Sequence, residues 1–292
     1  MITPAEAIDR INGVFGRHPG YRALHAKGRF YTATFTPTAE AGRLGRALHL
    51  QAPVPVWVRF SNGGGHPGVG DNAPDVRGIG VSFRLPDGTA TDLLGQTAPR
   101  FPVRTPEDFI ALVEHSKPHQ LPGFMARHRS AIKPLLANVK AKAVVPPYSY
   151  AEATYYPVHA YRWIAPDGSQ SWVRYVFEPQ ATKDQRPSKP KGKDRLAEEL
   201  RARLGQAPVR FTLRVTVAAD GDDPHDPMSV WVGAHTFDAG TLEVTGLDPE
   251  RETGGEVVVF DPTRVVDGIE LSDDPILRYR AAAYSESVSR RI

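Results

Sequence analysis

The segment DDPILRYRAAAYSESVSRRI begins at Asp273 of a 292-residue chain. Counted at about 100° per residue on a helix, Tyr284 lies roughly 40° and Arg291 roughly 20° from Arg280. Arg280, Tyr284 and Arg291 therefore share one face, with Leu277 and Ser287 beside them and no acid in the stripe. A guanidinium one turn before a phenol favours the phenolate, and a phenolate is a ligand for a ferric ion. An acid-free arginine stripe also suits a bound carboxylate or other anion. The plain alternative is an amphipathic helix whose arginines stand in water, and helical spacing alone leaves both readings open. Tyr279 competes for the ligand role but has Pro275, not arginine, four residues before it.

Other clusters read as structure. DGDDPHDP, from Asp220, is turn chemistry whose spacing fits no calcium loop, and no metal is assigned there. His115, His119 and His128 lack the H-E-x-x-H pattern and read as surface residues. SNGGGHPGVG lacks the lysine of a phosphate loop, so its glycines point to close backbone approach at a pocket. The chain has no cysteine, which excludes disulfides, thiolate zinc sites and thiol-based peroxide reduction. Lys plus Arg is 36 against 33 for Asp plus Glu, a net charge of +3 too small to argue for nucleic acid. The basic stretch from Lys183 to Arg195 lacks aromatics and reads as a solvated loop. No apolar run reaches the roughly 20 residues of a membrane span, and the start of the chain is acidic where a secretory leader is basic. A cytoplasmic location is expected.

These residues need a scaffold. At 40% hydrophobic and 24% charged, the chain can bury a sizeable core. VRFTLRVTV, PVWVRFS and RGIGVSFRL alternate apolar and polar residues, the mark of strands with one buried face. RFYTATF, TYYPVHAYRWI, SWVRYVF, TLEVTGL and EVVVF are further strand candidates, and the PDG at Pro166 to Gly168 is a hairpin turn. PAEAIDRINGVF, TPEDFIALVEHS and DRLAEELRARLG have helical starts or stops. The pattern predicts one α+β domain over residues 1–292, an antiparallel barrel of about eight strands with surrounding helices, and a last helix over about 273–292.

SDDPILRYRAAAY resembles the haem-ligand helix of the monofunctional haem catalases, in which tyrosine is the axial ligand. The resemblance implies that Tyr284 binds the iron of haem b, that Arg280 holds it as phenolate and that Arg291 reaches a haem propionate. RALHAKG resembles the distal segment of that family, implying His25 as the essential histidine and Arg22 as a propionate partner. VRFSNGGG implies a further propionate arginine in Arg59 and, in Ser61, a hydrogen-bond partner of the distal imidazole. PRFPVRTPEDF implies Phe109 against the porphyrin, while DVRGIGVSF, YYPVHAYRW and FDPTRVVDGIELSDDP are similar to other family segments. The fold implied is the eight-stranded antiparallel catalase barrel.

Two departures shape the expected activity. Only eight residues follow Tyr284, so the chain resembles the minimal branch, catalase-related peroxidases, without the N-terminal arm and C-terminal helical domain of large catalases. In DLLGQTAPRF, Gln96 stands where the family has its distal asparagine, which moves the amide outward by about one bond, roughly 1.5 Å. A displacement of about 1 Å costs on the order of a hundredfold in a positioned reaction. The expectation is a haem peroxidase for hydrogen peroxide or organic hydroperoxides with modest catalase activity, a small organic electron donor, and homo-oligomerisation as a family trait. The rival readings are a fatty-acid hydroperoxide isomerase or dehydratase on the same scaffold, and a haem-free barrel that binds a small apolar ligand.

Overall fold

The computed structural model describes residues 2–188, 190–253 and 257–291. Its strands are β1 (Gly28–Pro37), β2 (Val54–Asn62), β3 (Arg77–Arg84), β4 (Ala90–Gln96), β5 (Tyr161–Ile164), β6 (Gln170–Pro179), β7 (Val209–Val217), β8 (His235–Leu247) and β9 (Ile269–Leu271). They form one curled antiparallel sheet in the order β4-β3-β2-β1-β8-β7-β6-β5-β9. Alternation does the sorting: Val54, Val56, Val58 and Phe60 of β2 and Phe211, Leu213 and Val215 of β7 enter a single core. Phe60 ties the layers together, its ring lying 5.5 Å from Tyr150 and 5.9 Å from Phe211.

The sheet has nine strands, one more than expected: β4 and the short β9, which adds an edge against β5, join it, and residues 257–260 of EVVVF do not. β4 escapes a reading by alternation because Asp92, on the outer face, is as buried as Leu93 on the core face, its Oδ2 accepting the Asp261 amide at 2.8 Å. TYYPVHAYRWI is strand only at β5; Tyr155 and Tyr156 make isolated bridges to Phe177 and Gln96. Glu256 of EVVVF lies outside the described residues. The PDG turn connects β5 to β6, with Gly168 at φ +85°, a conformation only glycine adopts cheaply.

Three helices matter for the site: α1 (Pro4–Phe15), α3 (Pro106–Glu114) and α8 (Pro275–Ser289). Each starts with a capping side chain followed by proline: Thr3, Thr105 and Asp274 accept backbone amides of the first turn. Ala7, Ile8 and Ile11 of α1 bury against Ile110 and Val113 of α3. On α8, Leu277 enters the sheet core, while Ile276 packs with Phe101, Val103 and Phe124. The others are α2 (Ala39–Leu44), α4 (Leu121–Arg127), α5 (Ile132–Lys140), α6 (Arg195–Leu204) and α7 (Pro249–Thr253).

Candidate functional site

The cavity lies on the outer face of the sheet, opposite the core, and register explains its floor. Ser61 pairs with Gly78 and Gly78 with Gln96, so Ser61, Gly78 and Gln96 form one rung across β2, β3 and β4. Arg59, Gly80 and Leu94 form the next rung on the same face. The central glycines leave room for rings. A Cβ on Gly78 would lie 2.7 Å from the His25 ring, and one on Gly80 would lie 3.0 Å from Phe260. α1, α3 and α8 supply walls through Ile8, Phe109 and Tyr279 among others. The cavity is about 210 Å³, many times what a single water needs.

His25 stands over the first rung with φ +55°, rare for a residue that is not glycine. The surroundings hold it there: its amide donates to Gly63 O at 2.9 Å and the Ala26 amide to Gly64 O at 3.1 Å. Arg59 grips the same turn, donating to His25 O at 3.0 Å and Ala26 O at 3.2 Å. The expected close approach at SNGGG is thus that of the 23–26 backbone; a Cβ on Gly65 would strike Ala23 O. His25 Nδ1 lies 3.0 Å from Ser61 Oγ. Burial, then the charges of Arg59, Arg280 and Arg22, push the imidazole pKa down to about 3, so the ring is neutral at ordinary pH.

Arg22, Arg59, Arg280 and Arg291 all line the cavity, and no Asp or Glu does so among the described residues. Arg22 donates to Val258 O at 2.7 Å, and both Arg22 and Arg59 sit 5.7 Å from the Phe30 ring. Burial lowers the pKa of Arg291. Of the predicted stripe, Arg280, Tyr284 and Ser287 of α8 and Arg291, two residues past its end, line the cavity, while Leu277 enters the sheet core. Tyr279 also reaches it, but its pKa is raised by burial and by Glu107 and Glu6, which keep it a neutral phenol. Phe109 lines the cavity while stacking on Phe101 at 5.7 Å.

Every residue proposed from sequence for the site, namely Arg22, His25, Arg59, Ser61, Gln96, Phe109, Arg280, Tyr284 and Arg291, lines this one cavity. Thr97, next to Gln96, turns away to bond Ala143 O at 2.7 Å and the Arg77 amide at 3.0 Å. Sequence reasoning missed the buried pair His159 and Asp274. His159 Nδ1 lies 2.5 Å from Asp274 Oδ2, and its Nε2 has no partner among the described residues. Burial drives the His159 pKa down against the pull of Asp274, and Arg280 adds to the lowering. The only sequence signal was a histidine inside TYYPVHAYRWI, a stretch read as a strand, whose residues 157–160 are not strand.

A deep apolar cavity with four arginines in its wall suits a large apolar group that carries negative charge. The family model described as Catalase matches residues 15–200, and the chain belongs to the catalase family. Over 99% of its length it is 46% identical to the catalase-related peroxidase of Mycolicibacterium paratuberculosis, spanning 95% of that protein. It is 30% identical to the catalase-related peroxidase of Synechococcus elongatus, over 99% of this chain and 89% of that one. A fungal catalase structure superposes on 98% of the chain with a TM-score of 0.81 at 19% identity, a likeness of fold; the chain spans 62% of that catalase.

Proposed function

We propose that this chain is a haem-dependent peroxidase that reduces hydrogen peroxide or organic hydroperoxides, with dismutation of hydrogen peroxide as a lesser activity. The observation that carries the reading is one arginine-lined, acid-free cavity shared by a neutral His25 bonded to Ser61 and by the Arg280 and Tyr284 pair. Family membership and the two catalase-related peroxidases support the same class of oxidoreductase acting on peroxide.

The residues present fit haem b. Tyr284 would ligate the iron, with Arg280 one turn away favouring its phenolate. Arg22, Arg59 and Arg291 would meet the two carboxylates, and Phe109 the apolar body. Bound haem supplies the redox chemistry that no side chain of this cysteine-free protein offers. The protein moves the proton. With Nδ1 held by Ser61, His25 presents Nε2 to the peroxide, takes the proton from one oxygen and returns it to the other as that oxygen leaves. A pKa of about 3 makes the imidazolium short-lived, which favours handing the proton on. Gln96 offers an amide on the same rung as Ser61, beside the reacting oxygens. Apolar walls from Ile8, Ile11 and Phe101 accommodate the organic part of a hydroperoxide. A purely apolar ligand does not account for the arginine lining.

Visible spectra test the assignment. Wild type and Tyr279→Phe, purified with haem supplied, are expected to carry the same ferric haem band, and Tyr284→Phe to lose or shift it. An unchanged spectrum in Tyr284→Phe refutes the axial assignment. Donor-independent rearrangement of a lipid hydroperoxide would instead favour the isomerase reading.

A further inference from the structure

From His115 to Ala151 the chain contains no Asp or Glu, yet it carries Lys117, Arg127, Arg129, Lys133, Lys140 and Lys142. All six are exposed, in a protein whose overall charge is nearly balanced. The same stretch holds aliphatic residues open to solvent: Leu136 is 61%, Val139 71% and Val145 54% exposed. α5, at its centre, buries none of its residues fully. At about 100° per residue, Leu136 and Val139 lie roughly 60° apart, with Lys133 and Lys140 next to Leu136 on the same outward side. Leu135, about 40° beyond Val139 and roughly 100° from Leu136, turns under the helix to pack against the cluster of Phe101, Phe124 and Ile276.

This strip is built, not loose. Asn138 exchanges hydrogen bonds with the backbone of Arg100 at 3.1 and 2.9 Å. Past α5, the Lys142 amide bonds Val139 O and the Ala143 amide bonds Asn138 O, a Schellman closure. Lys142 occupies its left-handed position at φ +55°, where glycine is the usual residue. The turn delivers Val144 and Val145 to the surface, and Val144 O is fixed by the Asp75 amide at 3.0 Å.

We infer that α5 and the turn after it form a docking surface for an anionic phospholipid surface, with Leu136, Val139 and Val145 entering the headgroup boundary and the flanking lysines and arginines meeting lipid phosphates. Exposed aliphatics framed by cations are the signature of an interfacial helix. Charge complementarity selects the occupant. A second copy of this face would set cations against cations. A nucleic acid would find no exposed aromatic ring among these apolar side chains to stack on. Binding here is peripheral; no helix among the described residues is long and apolar enough to cross a membrane.

The test is co-sedimentation of the full chain, purified with haem supplied, with vesicles of phosphatidylcholine alone or mixed with phosphatidylglycerol. Binding to the mixed vesicles only, weakened by salt, is expected. Lys133→Glu with Lys140→Glu should lower it at least ~30-fold, from about 1 kcal/mol per cation near the membrane surface. Leu136→Ser with Val139→Ser should lower it about 10-fold, and Lys142→Gly, which keeps the turn, should lower it by several-fold. All these positions are exposed, and an unchanged circular dichroism spectrum confirms the fold. No sedimentation with the mixed vesicles overturns the proposal, as does binding that these variants leave unchanged. A concentration-dependent dimer lost in the same variants, with vesicles ignored, would assign the face to a second copy. Because no turnover is read, the result is independent of the peroxidase assignment.

Discussion

Replacing Gly78 with alanine should cripple peroxide cleavage while leaving every group proposed to meet peroxide chemically unchanged. The new Cβ would lie 2.7 Å from both Cε1 and Nδ1 of His25 and 2.9 Å from Ser61 Oγ, where ordinary contact begins at 3.4 Å. The imidazole must therefore retreat by about 0.7 Å, and it cannot do so freely. Its backbone is pinned at φ +55° by Gly63 O and by the Arg59 guanidinium, so the displacement falls on the ring and on its bond to Ser61. A shift on the order of 1 Å in a positioned proton-transfer group costs about a hundredfold. Stopped-flow measurement of the haem-loaded protein with hydrogen peroxide should show a rate constant about 100-fold lower in Gly78→Ala, with the haem spectrum retained. Gly95→Ala is the control: its Cβ would meet Pro157 at 3.1 Å and Ile79 at 3.2 Å, a milder clash that leaves His25 alone. A Gly78→Ala rate within threefold of wild type, at normal haem content, would refute the claim that this rung positions His25.

His49 is buried with Nδ1 unpartnered, its ring tilted against Phe83 at 4.6 Å, and burial lowers its pKa from 6.5 to about 3. The unfolded chain then binds the extra proton, so this term leaves stability intact above pH ~6.5 and erodes it as pH falls toward ~3, by about 2 kcal/mol at pH 5. Urea unfolding at pH 8 and pH 5 should show His49→Leu losing about 2 kcal/mol less than wild type over that interval, and equal losses would refute it. Gln96→Asn should raise oxygen release from hydrogen peroxide relative to donor oxidation; no gain would mean that the cavity's shape, not the amide's reach, sets that ratio.

Helix starts were legible as local signals, an early proline for α1 and threonine then proline for α3, and helical geometry alone put Arg280, Tyr284 and Arg291 on one face. Arg22, His25, Arg59, Ser61, Gln96 and Phe109, by contrast, were found through the family resemblance. The barrel strands showed themselves where one face is buried, as in β7. What stayed hidden depends on pairing across distance. Nothing in RGIGVSFRL singles out Gly78 and Gly80; only register sets them between Ser61 and Gln96 and between Arg59 and Leu94. Arg59 was read only as an anion partner, whereas two of its hydrogen bonds support the backbone of His25 and Ala26. β4 and α5 were unreadable for opposite reasons: one buries a carboxylate on its outer face, and the other buries no residue fully.

Termini fray, yet the helix that carries Tyr284 is clamped by protein at both ends. At its start, Asp274 Oδ1 accepts the amides of Ile276 at 2.8 Å and Leu277 at 3.3 Å, while Oδ2 holds His159. One carboxylate thus caps the helix and fixes a buried histidine whose charge state feels Arg280. At the far end, Arg290 pairs with Asp9 and donates to Ala5 O at 3.0 Å, joining α8 to α1. The exposed pair contributes little by itself, but together with the buried Leu277 it limits rotation of the helix about its axis. Such rotation would carry Arg280 and Tyr284 out of the cavity together, because they share one stripe. The Arg280 and Tyr284 side of the cavity is therefore set by the protein's own contacts, as the His25 side is by its glycines and Arg59. A bound group would meet both in place and have little helix left to order.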